Sequence, residues 1–101
     1  MLHHKFHAKK TEFDGIRFDS KLEATYYKKL KSLQDEDKVL FFLRQIPFHL
    51  PGNITYRADF MVFFTDGHVE IWEIKGYETK DWIMRKKLVE ATYPIEITVL
   101  K

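Results

Sequence analysis

Residues 56–76 read YRADFMVFFTDGHVEIWEIKG, two arms rich in β-branched and aromatic residues joined through Asp66-Gly67, the pattern of a β-hairpin. Each arm carries an acid where a buried strand should have none: Asp59 in the first, Glu73 in the second. Register decides whether they meet. A two-residue loop of Asp66 and Gly67 sets Asp59 against Ile74 and puts the two acids on opposite faces of the sheet. A three-residue loop of Thr65, Asp66 and Gly67, with Gly67 left-handed, pairs Phe64 with His68 and sets Asp59 directly against Glu73. We expect the second register. Opposed Cβ atoms lie roughly 5 Å apart and facing like charges destabilise, so a cation is expected between them. Glu73 and Lys75 share a face, because side chains alternate along a strand.

Two carboxylates and an ammonium on one face have a definite chemistry. Mg²⁺ binds through one or two carboxylates, keeps several waters and takes phosphate oxygens into its remaining positions. Phosphodiester hydrolysis is the reaction this set suits. The ion polarises the phosphoryl oxygen and acidifies water, while Lys75 steadies the attacking water or the charge that develops at phosphorus.

The chain has 101 residues, enough for one domain, and its 45% apolar content supplies a core. Cysteine is absent, so there is no disulfide or thiolate metal site, as suits a cytoplasmic protein. The apolar runs are of strand length, and neither a signal peptide nor a membrane span is expected. A formal net charge of +2 does not by itself indicate nucleic acid; the distribution of charge has to.

Residues 1–10, MLHHKFHAKK, hold three lysines and three histidines before any acid. This reads as a solvated, flexible basic arm whose functional use would be phosphate contact, through Lys9 and Lys10 for example. Around Asp14-Gly15 two short alternating runs form a tight hairpin. Ser20 then caps a helix to about Leu33, with Leu22, Tyr26, Leu30 and Leu33 as its apolar stripe. Glu23 has two readings. It completes a capping box with Ser20, or it reaches from the helix over the Asp59–Glu73 face as a further acidic ligand. Glutamine separates them, since it serves in the box but is a poor substitute for a charged ligand.

Gln34 to Lys38 is a polar turn, and Val39 to Leu50 a long strand that Pro47 and Pro51 push to a sheet edge or a bulge. His49 reads as a partly buried structural histidine. Past Gly76 a helix is expected from about Asp81 to Thr92, ended by Pro94, with Met84, Leu88 and Ala91 as its core stripe and Lys86 and Lys87 turned outward. From Lys75 to Lys87 there are five bases and two acids. Lys80, Arg85, Lys86 and Lys87 are either a solvated helix face or phosphate contacts. Ile95 to Leu100 alternates as a last strand.

The order helix, three strands, helix, strand, with Asp59 in ADF, Glu73 and Lys75 in EIKG and Glu23 in SKLE, resembles the PD-(D/E)XK nuclease superfamily. More closely, KKTEFDGIRFDSKLEA, YRADF, WEIKG and TYPIE resemble small phage and prophage proteins of the DUF1064 type, and the acids are similar to those of phage endonuclease I type Holliday junction resolvases. The resemblance covers nearly the whole chain from Lys9. It implies a restriction-endonuclease-like α/β core, a mixed four-stranded sheet flanked by helices behind a short N-terminal hairpin. It also implies one or two Mg²⁺ or Mn²⁺ ions held by Asp59, Glu73 and the Ile74 carbonyl, with Glu23 assisting and Lys75 orienting the nucleophile. Where the superfamily often has proline before the aspartate, Ala58 stands here. A homodimer acting on branched DNA in a bacterial host cell follows from the resemblance to resolvases alone.

Three functions remain open at this point. The first is a structure-selective DNA endonuclease of phage recombination. The second, cleavage of linear duplex, is disfavoured by a chain too short for a base-reading element. The third, a non-catalytic nucleic-acid-binding module of the same fold, leaves two opposed buried acids with no ion to neutralise them.

Overall fold

The computed structural model describes residues 10–101. Two short strands, β1 (Thr11–Phe13) and β2 (Ile16–Phe18), form the first hairpin, with Asp14 and Gly15 both left-handed at φ 56° and 73° as a tight two-residue turn requires. Then follow α1 (Lys21–Asp35), β3 (Val39–Leu50), β4 (Ile54–Phe64), β5 (Val69–Ile74), α2 (Lys80–Thr92) and β6 (Ile97–Leu100). The sheet order is β3-β4-β5-β6; the first three strands are antiparallel, and β6 runs parallel to β5 after the α2 crossover. This is an α/β fold with a four-stranded mixed sheet and two helices. Among the described residues no helix is long and apolar enough to cross a membrane.

The helices cover opposite faces. Trp72 and Ile71 are neighbours on β5 and so point to opposite sides. Trp72 joins the core with Ala24, Tyr27 and Leu30 of α1; Ile71 joins the other with Trp82 and Val89 of α2. The long strand β3 lies at the sheet edge, where Pro47 within it is tolerated.

Helix α2 differs from expectation in the face it buries, and α1 in part, since Leu30 of its expected stripe is fully buried. In α1 the buried residues are Glu23, Ala24, Tyr27 and Leu30, while Leu22, Tyr26 and Leu33 only border the core. The cause is Tyr27, whose ring meets Phe13, Phe18 and Phe42 at 5.1–6.0 Å and turns the helix by about one position toward the first hairpin. The helix also runs to Asp35, two residues beyond the expected end, and closes where Lys38 N–H returns to the Leu33 carbonyl past the left-handed Asp37.

In α2 the buried residues are Trp82 and Val89, not Met84, Leu88 and Ala91. The sheet offers one apolar surface, and the indole, the largest side chain available, takes it. Lys86, expected to point outward, is turned in to Glu90 at 3.2 Å, and Glu90 accepts the N–H of Ile97 at 2.7 Å. His49 is exposed rather than partly buried; its carbonyl takes the Tyr93 hydroxyl. The last strand starts at Ile97, two residues later than expected, because Pro94 carries the chain through a turn first.

Candidate functional site

The β4–β5 register pairs Phe60 with Trp72, Met61 with Ile71, Val62 with Glu70 and Phe63 with Val69. The loop is Thr65–Gly67, with Gly67 at φ 99°, its N–H on the Phe64 carbonyl and the Phe64 N–H on His68. Continued one step, this register puts Asp59 opposite Glu73, as the three-residue loop predicts.

The ladder does not continue as regular sheet. By its alternation the Ile74 N–H would go to the Ala58 carbonyl; it goes instead to Asp59 Oδ2 at 2.8 Å. The strand turns over at this point. Phe60 and Val62 lie in the α1 core, whereas Tyr56 and Ala58, of the same parity, lie in the α2 core. On β3 the neighbouring Gln45 is left-handed at φ 54°, which lets Arg44 stand over the Phe18 ring at 4.8 Å while Ile46 packs on the α2 side. Two strands are thus re-aimed at one level, and the sheet opens there.

Glu23, Asp59, Glu73 and Lys75 all line the resulting cleft of about 410 Å³. Glu73 is 6% exposed and accepts the Tyr56 hydroxyl at 3.0 Å. Burial, and then the charge of Asp59, push its carboxyl up to about 7. Asp59 is raised by burial against the opposing pull of the Ile74 N–H. Glu23 is raised by burial and by Asp59, with Arg44 Nη2 at 3.6 Å easing it. Lys75 reaches over the Trp82 ring, its Nζ 5.5 Å from the centroid.

The two readings of Glu23 divide between its backbone and its side chain. Its N–H is received by Ser20 Oγ at 3.1 Å, which is half a capping box. Its carboxylate turns away from the cap into the cleft, where Oε2 accepts from Gln45 Nε2 at 3.1 Å. The same Gln45 amide also donates to Asp59 Oδ1 at 3.4 Å, so one side chain bridges two of the acids.

Among the described residues no three His, Cys, Asp or Glu side chains gather closely enough to enclose a metal ion. The donor set facing the opening is the carboxylate pair of Asp59 and Glu73 beside the backbone of Ile74. Two hard oxygen ligands fit an ion such as Mg²⁺, which draws most of its shell from water and phosphate. Glu23 is tied to Gln45 and Arg44.

Of the expected phosphate contacts Lys10 stands beside this cleft, through Asp19 of its lining, while those on α2 do not line it. Lys9 lies outside the described residues, and Lys10 pairs with Asp19 at 3.3 Å. Lys80 is exposed, Arg85 and Lys87 line a different groove, and Lys86 is held by Glu90. The bases that do line the cleft are Lys75 and Arg57. Sequence reading missed Arg57, Gln45 and Tyr56. Arg57 and Tyr56 were legible as neighbours of Asp59 in YRADF; Gln45 acquires its place only through the left-handed turn in β3, for which its sequence carries no signal.

A family model described as "Protein of unknown function (DUF1064)" matches residues 3–100. No curated protein matches the chain. No solved structure matches it either.

Proposed function

The chain belongs to the DUF1064 family, and from that premise we propose that it is a metal-dependent endonuclease of the PD-(D/E)XK type that hydrolyses DNA phosphodiester bonds, with branched DNA as its preferred substrate. The observation that carries this reading is the pairing of Asp59 and Glu73 where β4 and β5 part, with Lys75 on the face of Glu73. A bound Mg²⁺ or Mn²⁺ supplies Lewis-acid polarisation of the phosphoryl group and a lowered pKa for water.

The chain's own residues supply the rest. Asp59 and Glu73 would hold the ion, with the Ile74 carbonyl as the third candidate donor. Asp59 is aimed by the Ile74 N–H and by Gln45, Glu73 by the Tyr56 hydroxyl. Lys75 donates a hydrogen bond to the nucleophile and stabilises negative charge at phosphorus. Arg57, on the rim, pairs with a flanking phosphate. Glu23 acts through Gln45, which couples it to Asp59.

The test is cleavage of end-labelled four-way junction, flap and linear duplex with Mg²⁺, Mn²⁺ or EDTA, by wild type, Glu73→Ala and Glu23→Gln. Ion-dependent cutting of branched DNA that Glu73→Ala abolishes is the expected result. A loss in Glu23→Gln as well assigns the Glu23 charge to the reaction. Absence of cutting in every ion, with DNA bound equally by wild type and Glu73→Ala, would refute the reading in favour of a non-catalytic binding module.

A further inference from the structure

Helix α2 carries two apolar stripes and the fold uses one. Trp82 and Val89 are buried on the sheet, whereas Met84 is 69% and Leu88 37% exposed. Together with Ile54 of β4, itself 42% exposed, they floor a groove of about 740 Å³ on the outer side of the helix, larger than the acidic cleft. Arg85 and Lys87 stand on its walls against a single acid, Asp81. A concave apolar floor with a basic rim, on a helix already anchored by its other face, marks a binding surface.

We propose that this groove docks a peptide segment of another protein, one that sets large apolar side chains among aspartates or glutamates. The charge on the rim chooses this occupant. A second copy meeting the groove through its own α2 about a two-fold axis would set two bases and one acid against two bases and one acid, a net like-charge rim. Nucleic acid fits only the rim: Arg85 and Lys87 can meet phosphate, but the floor of Ile54, Met84 and Leu88 offers bases no aromatic surface to stack on and would stay uncovered. An acidic apolar peptide satisfies both parts: its aliphatic or aromatic side chains fill the floor, and its carboxylates meet Arg85 and Lys87. The volume suits the side chains of about two or three anchor residues.

Fluorescence anisotropy with a labelled peptide of alternating Asp and Leu or Phe tests this on the full chain in EDTA, so the outcome does not depend on whether the cleft cuts DNA. Binding should weaken as salt rises. It should fall by about tenfold or more in Met84→Ser/Leu88→Ser, which removes the anchors, and in Arg85→Glu/Lys87→Glu, which inverts the rim. All four side chains are solvent-exposed or on the groove wall, and unchanged circular dichroism confirms that the variants are folded. A peptide with Ala for Leu and Phe, or with Lys for Asp, should not bind. Equal binding of the Lys peptide, or no binding of the acidic one, overturns the proposal. So does a dimer in sedimentation that Leu88→Ser dissociates, which assigns the groove to a second copy. Binding to duplex DNA or to anionic vesicles that the rim variant abolishes, with the acidic peptide inert, likewise overturns it.

Discussion

Neutralising one buried acid should make this protein more stable, and the size of the gain can be worked out from the cleft. Glu73 is 6% exposed, faces Asp59, and has its carboxyl pushed up to about 7 from an ordinary 4.5. Between those two values the folded chain binds more protons than the unfolded one, so stability falls as pH rises through the window and stays low above it. At about 1.4 kcal/mol per unit of pKa, the loss is about 3 kcal/mol. Asp59 and Glu23, both raised by burial, act in the same direction. The exposed His68 does so too, since Asp66 and then Glu70 raise its pKa. For that reason the decisive quantity is the difference between wild type and Glu73→Gln, in which His68 cancels and the Tyr56 hydroxyl keeps an oxygen to donate to. Urea unfolding in EDTA from about pH 5 to about pH 8 should show wild type losing stability and Glu73→Gln losing about 2 to 3 kcal/mol less, the part of the titration that falls in this range, so that the variant is the more stable protein at the alkaline end. Millimolar Mg²⁺ should restore wild type there and leave Glu73→Gln nearly unmoved, because an ion that binds only the folded state adds stability in proportion to its occupancy. Wild-type stability that is flat or rises across this range, with Glu73→Gln no more stable at its upper end, would refute the account of the cleft as a set of uncompensated carboxyls.

Other substitutions separate chemistry from folding. Asp59→Asn leaves an oxygen for the Ile74 N–H but removes the charge, so cleavage should fall by about two orders of magnitude or more while the melting temperature holds or rises. Ser20→Ala removes the acceptor for the Glu23 N–H and should cost about 1 kcal/mol, a fall of roughly 4–8 °C in a calorimetric Tm. Gly67→Ala meets no atom within 4 Å but must hold φ at 99°, so the penalty is backbone strain of about 1 kcal/mol or more, read in urea unfolding.

What the sequence disclosed was what local chemistry controls. Asp-Gly dipeptides placed both hairpins, and the turn count before His68 set Asp59 against Glu73. Ser20 marked the start of α1, and Pro94 the end of α2. What it hid depends on choices among near-equivalent packings. In each helix two apolar stripes compete, and Tyr27 and Trp82 decide the outcome through partners on other elements: the first hairpin for Tyr27, Tyr56 and Ile71 for Trp82. The same limitation applies to charge. Arg85 and Lys87 follow Lys75 closely in sequence, yet the rotation of α2 that buries Trp82 carries them to another groove, and Arg57, on the strand of Asp59, lines the cleft in their place.

Gln45 ties β3 to two acids of the cleft. A glutamine at φ 54° in an edge strand is a conformation that costs free energy, and an amide shared between Glu23 and Asp59 does not neutralise either. The fold therefore accepts strain in β3 in order to hold two acids at set positions that it leaves short of positive charge: Arg44 stands beside Glu23, and Lys75 acts on Asp59 and Glu73, with Arg57 on the lining of the same cleft. A protein selected for stability alone would replace such acids with apolar residues of similar volume. Their retention is economical only if something cationic completes the pair during use, which is the condition the proposed ion fulfils.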